Sequence, residues 1–116
     1  QRAKKAALAE AASQSYSVDE LIAMGEGVYQ QACAACHALD GQGVPGAFPA
    51  ISGSAIATGA IAAHIDIVVN GKTGTAMQAF KDQLSAVDLA AVVTYQRNRL
   101  GNAVGDYVNP SDIQNY

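Results

Sequence analysis

The residues with the greatest capacity for chemistry are Cys33, Cys36 and His37, within the run Cys33-Ala34-Ala35-Cys36-His37. Two thiols three positions apart, with an imidazole directly after the second, form the pattern of c-type haem attachment. Each thiol can add to one vinyl group of the porphyrin, and one turn of chain then aims the imidazole at the iron. Other chemistries use parts of the same set. A disulfide or a thioredoxin-like redox pair also spaces cysteines this way, but a redox pair opens a helix after a strand, whereas Cys33 follows a helical pattern and no βαβ alternation is present. Structural zinc would recruit Cys33, Cys36, His37 and the only other histidine, His64, and adjacent Cys36 and His37 cannot easily reach one small tetrahedral ion together.

Haem iron has a second axial position, and the chain holds two methionines, Met24 and Met77. Met24 falls on a helical apolar stripe and reads as core. Met77 lies forty residues beyond His37 in a loop that can swing over the opposite haem face, and is the expected ligand. His64, inside another helical pattern, reads as a solvated or partly packed side chain. A His37/Met77 pair raises the reduction potential. Two permanent ligands also leave no position for oxygen, peroxide or substrate, so the expected function is one-electron transfer.

Three main helices must position these groups. Ser17-Val18-Asp19-Glu20 has the form of a capping box, after which Leu21, Met24, Gly25, Val28 and Tyr29 recur at helical spacing. Thr58 or Gly59 can open a second helix through Ile61, Ile65, Val68 and Val69 that stops at Asn70-Gly71. Ser85-Ala86-Val87-Asp88 caps a third, with Leu89, Val92, Val93, Gln96 and Leu100 on one face and Gly101 to end it. Tyr95 borders that face and is expected over Gly25, near Tyr29. Between these elements, residues 40–46 are turn formers with only a superficial likeness to a phosphate loop. Phe48-Pro49-Ala50-Ile51 offers a wall beside His37, and Phe80 joins Met77 in the later loop.

Residues 1–16 read as an Ala-rich helical spacer or linker, about 20 Å long at 1.5 Å per residue over its first thirteen positions. Residues 17–100 form the expected domain, and 101–116 a polar C-terminal tail with few packing residues. The formal charge of −3 and pI near 5.1 give no basic footprint for nucleic acid. No apolar run approaches the ~18 residues needed for a membrane span. Around the expected haem edge stand Gln30, Gln31, Gln42, Val44, Ala47, Ala76 and Gln78, with Lys72 and Lys81 the only nearby cations. Such a face has little charge to steer a partner.

From Ser17 to Leu100 the sequence resembles a class I cytochrome c domain, which implies an all-α fold, three main helices and loops wrapped around one covalently attached haem c. Gly25-Glu26-Gly27-Val28-Tyr29 through His37 is similar to the family's first helix and haem motif. By that resemblance Cys33 and Cys36 are the thioether anchors, His37 and Met77 the axial iron ligands, and Pro49 the residue whose carbonyl receives the His37 Nδ1 proton. Ile51 and Phe80 are the expected haem contacts. The order Gly-Gln-Gly-Val-Pro-Gly-Ala-Phe-Pro after the motif, the tail from Gly101-Asn102 to Ile113 and the Ala-rich start look like the cytochrome c domain fused to subunit II of bacterial caa3-type haem-copper oxidases. That resemblance implies a periplasmic domain tethered through an upstream membrane-anchored region. It would take electrons from a donor cytochrome or quinol-cytochrome c reductase and pass them to a dinuclear copper domain. A free-standing periplasmic cytochrome c, or the cytochrome domain of a dehydrogenase, is the alternative. Gln78 stands where the family often has proline, and Tyr95 where relatives of the oxidase type often have tryptophan.

Half of the chain is hydrophobic but much of that is alanine, and there is no tryptophan. The protein-only core is therefore thin, and haem volume is expected to complete it. A Cys33→Ala/Cys36→Ala chain made without haem should lack native circular dichroism; a near-native spectrum would contradict this.

Overall fold

The computed structural model describes residues 14–114 and 116; most of the Ala-rich spacer, residues 1–13, lies outside the described residues. The described chain is all-α, with helices α1 (Val18–Ala32), α2 (Ala34–His37), α3 (Ala55–Thr58), α4 (Ile61–Asn70), α5 (Ala86–Asn98) and α6 (Pro110–Ile113). Its one β feature is a bridge between Val44 and Phe48.

The expected caps form. Ser17 Oγ accepts the Glu20 N–H at 3.1 Å while Glu20 Oε1 accepts the Ser17 N–H at 2.9 Å, closing a reciprocal pair at the start of α1. That hydrogen bonding holds the Glu20 carboxyl below its ordinary pKa. Ser85 Oγ accepts from the Asp88 N–H at the start of α5. The second main helix departs from expectation. Ser54 caps the short α3 by accepting the Ile56 and Ala57 N–H groups, and α4 begins only at Ile61, with no side-chain cap. Gly71 ends α4 as expected, at φ 72°.

Helices α1 and α5 share the most extensive contact between elements, and Gly25 makes it possible. A Cβ there would collide with the Ala91 carbonyl oxygen and lie 2.6 Å from Tyr95 Cβ. Tyr95 is thus over Gly25, and its ring centroid is 5.5 Å from that of buried Tyr29. Helix α5 does not show the one-sided face expected for it. Every residue from Leu89 to Thr94 is buried, because α5 runs between α1 and the C-terminal segment and packs on α4, and a helix covered all round shows no stripe. It ends at Asn98, so Leu100 lies in the following turn at φ 61°.

The polar tail expected over 101–116 is instead docked on this body. Val108, Pro110 and Ile113 are buried. Thr94 Oγ1 accepts the Val108 N–H at 3.0 Å, and Asn109 Oδ1 accepts the Tyr16 N–H at 3.0 Å. Asn102 donates to the carbonyls of Ile51 and Gln96 and accepts the Gly53 N–H. Widely spaced apolar residues dock the segment without producing a periodic signal.

Gly25→Ala should lower unfolding free energy by roughly 2–3 kcal/mol, since the backbone of α5 must move to admit the methyl group. Gly27→Ala, where a Cβ meets nothing within 4 Å, should raise it by up to ~1 kcal/mol. Denaturant unfolding of the two variants checks the contrast; equal effects would contradict the crossing.

Candidate functional site

The α1 helix closes on Cys33, whose N–H donates to Tyr29 O, and α2 then carries Cys36 and His37 around one more turn. The loop that follows brings its far end back beside this turn. The Gly43 N–H donates to His37 O at 2.8 Å, and the Ile51 and Ser52 N–H groups donate to Gly41 O at 2.7 and 3.0 Å. Gly43 is required by this approach, because a Cβ would lie 2.6 Å from the Pro49 carbonyl carbon. The result is a hydrogen bond from His37 Nδ1 to Pro49 O at 2.8 Å. With its Nδ1 proton given to the carbonyl, the ring keeps its Nε2 lone pair for a metal, and the bond fixes tautomer and orientation.

These groups face a cavity of about 520 Å³, within the ~300–1,000 Å³ typical of cofactor sites. Cys33, Cys36, His37, Pro49 and Ile51 line one part of it; Val68, Met77 and Phe80 line another. Cys33, Cys36, His37, Pro49, Ile51, Met77 and Phe80, the cofactor residues expected from sequence, therefore meet around one space. Met24 does not. It lines a separate groove with Val28, Gln31 and Leu84, and of the expected edge residues Gln30, Gln31, Gln42, Val44 and Lys81 are not among those lining the cavity. Lys72, Ala47, Ala76 and Gln78 do border the cavity.

The Met77 loop is braced despite lacking proline at 78. The Lys72 N–H donates to Met77 O at 3.0 Å, the Phe80 N–H to Val68 O at 3.2 Å, and Gln83 Nε2 to Gln78 Oε1 at 2.8 Å. A Cβ on Gly71 would lie 2.7 Å from Met77 O, so the loop folds tightly back on the end of α4.

The competing chemistries fit less well. Burial, with Cys36 as a lesser cause, pushes the Cys33 thiol up to about 11, the reverse of the lowered pKa that a reactive redox cysteine needs. Both cysteines are free. The zinc set fails on His64, whose two ring nitrogens are engaged elsewhere: Nε2 donates to Gln96 Oε1 at 2.6 Å, and Nδ1 accepts from Arg97 at 3.3 Å.

Sequence reasoning missed this buried polar group. His64 is only 2% exposed, fully buried where a solvated or partly packed side chain was expected. Arg97, also 2% exposed, donates to Asp106 at 2.6 and 2.9 Å and to the Ala57 and Gly59 carbonyls. Gln96 completes the line by reaching Cys33 Sγ at 3.8 Å. Gln96 and His64 thus form a polar part of the cavity wall, set from behind by a guanidinium whose charge is paired with Asp106. A glutamine on the apolar face of α5 was the available signal.

Residues 20–95 match the family described as cytochrome c oxidase, cbb3-type, subunit III. The chain belongs to this cytochrome c family. The described structure is accordingly a class I cytochrome c fold, and haem c is the cofactor the domain implies. The donor set of two thiols, a lone-pair-bearing imidazole and a thioether around one cavity fits that group. Among curated relatives, the cytochrome c subunit of a quinone alcohol dehydrogenase from Gluconobacter oxydans is 34% identical over 100 residues, covering 78% of this chain and 21% of the relative. The corresponding subunits of Gluconacetobacter polyoxogenes and Komagataeibacter europaeus are 28% identical over 99 residues, covering 77% and 21%. The chain therefore spans about a fifth of these relatives. They fit the dehydrogenase alternative better than the caa3-type oxidase resemblance. No helix of the described residues is long and apolar enough to cross a membrane.

Burial, with the Arg97 charge as a smaller contribution, outweighs the Gln96 hydrogen bond and lowers the His64 pKa from 6.5 to about 4. As pH falls from 6.5 to 4, the unfolded chain takes up a proton that the folded chain refuses. Stability on the order of 3 kcal/mol, present above pH 6.5, should thus be lost across that window. Urea unfolding of wild type and His64→Gln at pH 7 and 4 tests the assignment; equal pH slopes would refute it.

Proposed function

We propose that this domain is a one-electron carrier with a single haem c, held by thioethers from Cys33 and Cys36 and ligated by His37 and Met77. The observation that carries the proposal is the convergence of these four side chains on one cavity, with the His37 ring already oriented by Pro49 O. Bound haem supplies a one-electron couple, and methionine opposite histidine favours its reduced state. The chain's own residues do the rest. Ile51, Val68 and Phe80, all buried and lining the cavity, would keep water from the bound group, and the lower local polarity would further favour its less charged reduced state. Pro49 O fixes the His37 ring, while the braced 72–80 loop holds Met77 in place. With both His37 and Met77 engaged, the bound group would pass electrons and leave no position open to a substrate.

Within that chemistry, the relatives favour the cytochrome domain of a dehydrogenase, working as one segment of a larger periplasmic electron-transfer protein. Its exchange partners would be a dehydrogenase centre on one side and a quinone or further haem on the other. The oxidase reading, with a donor cytochrome and a dinuclear copper acceptor, rests on the sequence resemblance of the 101–113 segment. The 101–113 segment that carried the resemblance belongs to the folded body through Asn102, Val108 and Ile113. Stopped-flow oxidation of the reduced protein separates the readings, because fast transfer to a soluble dinuclear copper domain supports the oxidase and slow transfer supports the dehydrogenase.

Met77→Ala should keep covalent haem but lower the potential by at least ~0.1 V, within the ~0.8 V that axial ligands span. The reduced variant should bind carbon monoxide rapidly and the reduced wild type slowly. Rapid binding by wild type would overturn the two-ligand proposal.

A further inference from the structure

Ala38, immediately after His37, has φ 68° and ψ 157°, a backbone region occupied almost only by glycine. An alanine there is strained, so neighbouring contacts must hold it. The Ala38 N–H donates to Ala34 O at 2.9 Å, and its carbonyl accepts the Gly41 N–H at 3.1 Å. The same carbonyl accepts the Tyr29 hydroxyl at 2.6 Å, a short O–H···O bond. Tyr29 projects from α1, is wholly buried, and has its ring fixed beside Tyr95. Burial raises its pKa far above the ordinary phenol value, so the hydroxyl remains a donor at any working pH.

The turn at Ala38 is what reverses the chain after α2. It lets the Gly43 N–H reach His37 O and brings Pro49 O to His37 Nδ1. If residue 38 relaxed to an ordinary conformation, the loop would leave in another direction and both contacts would be lost. We infer that Tyr29 is a positioning residue for His37: its hydroxyl clamps the Ala38 carbonyl and so maintains the strained turn that orients the imidazole. The importance of this clamp for electron transfer rests on the reading of His37 as an iron ligand; the clamp itself does not.

Tyr29→Phe removes the hydroxyl and keeps the ring, and hydrogen exchange in the reduced holoprotein reads the consequence by NMR. The Gly41 and Gly43 amides and the His37 ring N–H should exchange roughly tenfold faster, while the Val92 and Val93 amides of α5 change by no more than about twofold. Adding Ala38→Gly, which makes the turn conformation accessible without strain, should return the fast sites to within about threefold of wild type. Uniform acceleration along the chain, unchanged exchange at Gly41 and Gly43, or no rescue by Ala38→Gly would each overturn the inference. A His37→Ala holoprotein that kept its wild-type axial-ligand spectrum would instead overturn the ligand reading and leave the clamp standing.

Discussion

The contact of α1 with α5 at Gly25 is the constraint on which the fold depends. A chain of this size with a cavity of about 520 Å³ has little apolar volume left for packing protein against protein. The missing side chain at residue 25 lets two backbones approach closely enough to build one dense block from alanine, valine and tyrosine. Everything around the cavity hangs from it. The α1 helix delivers Cys33 and then His37, while α5 supplies Gln96 to the wall beside Cys33 and, through Thr94, the seat for the C-terminal segment.

Helix α5 also explains how an arginine can be buried in so small a domain. Arg97 loses water but gains Asp106, two carbonyls and His64 Nδ1, so its charge is paired and its donors are used. The arrangement dictates which His64 nitrogen carries the proton, and that in turn dictates which end of the Gln96 amide faces Cys33. A surface carboxylate partner thereby sets the polarity of a cavity wall through three side chains.

Much of this was legible because it rests on local signals. Ser17 and Ser85 announce their helices through residues three positions away, the haem motif is contiguous, and Gly25 and Tyr95 stand out in otherwise regular helical patterns. Met77 was distinguishable from Met24 because one lies in a loop and the other on a stripe. The hidden features are those made by single polar residues acting over long separations. Asn102 binds groups 49 and 51 residues away, and Arg97 sits where a last-turn cation normally faces water. The strain at Ala38 was equally hidden, since alanine gives no hint of a glycine-only conformation. The short α3 went unseen for the opposite reason: four residues carry no periodicity.

The hydrogen bond between Tyr16 N and Asn109 Oδ1 has a wider bearing. It joins the stretch leading into α1 to the stretch leading into α6, so the folded body begins and finishes at nearly the same point. A unit with adjacent entry and exit can be spliced into or appended to a longer polypeptide without stretching its host. The relatives, about five times as long as the portion they share with this chain, are proteins in which such portability has room to operate.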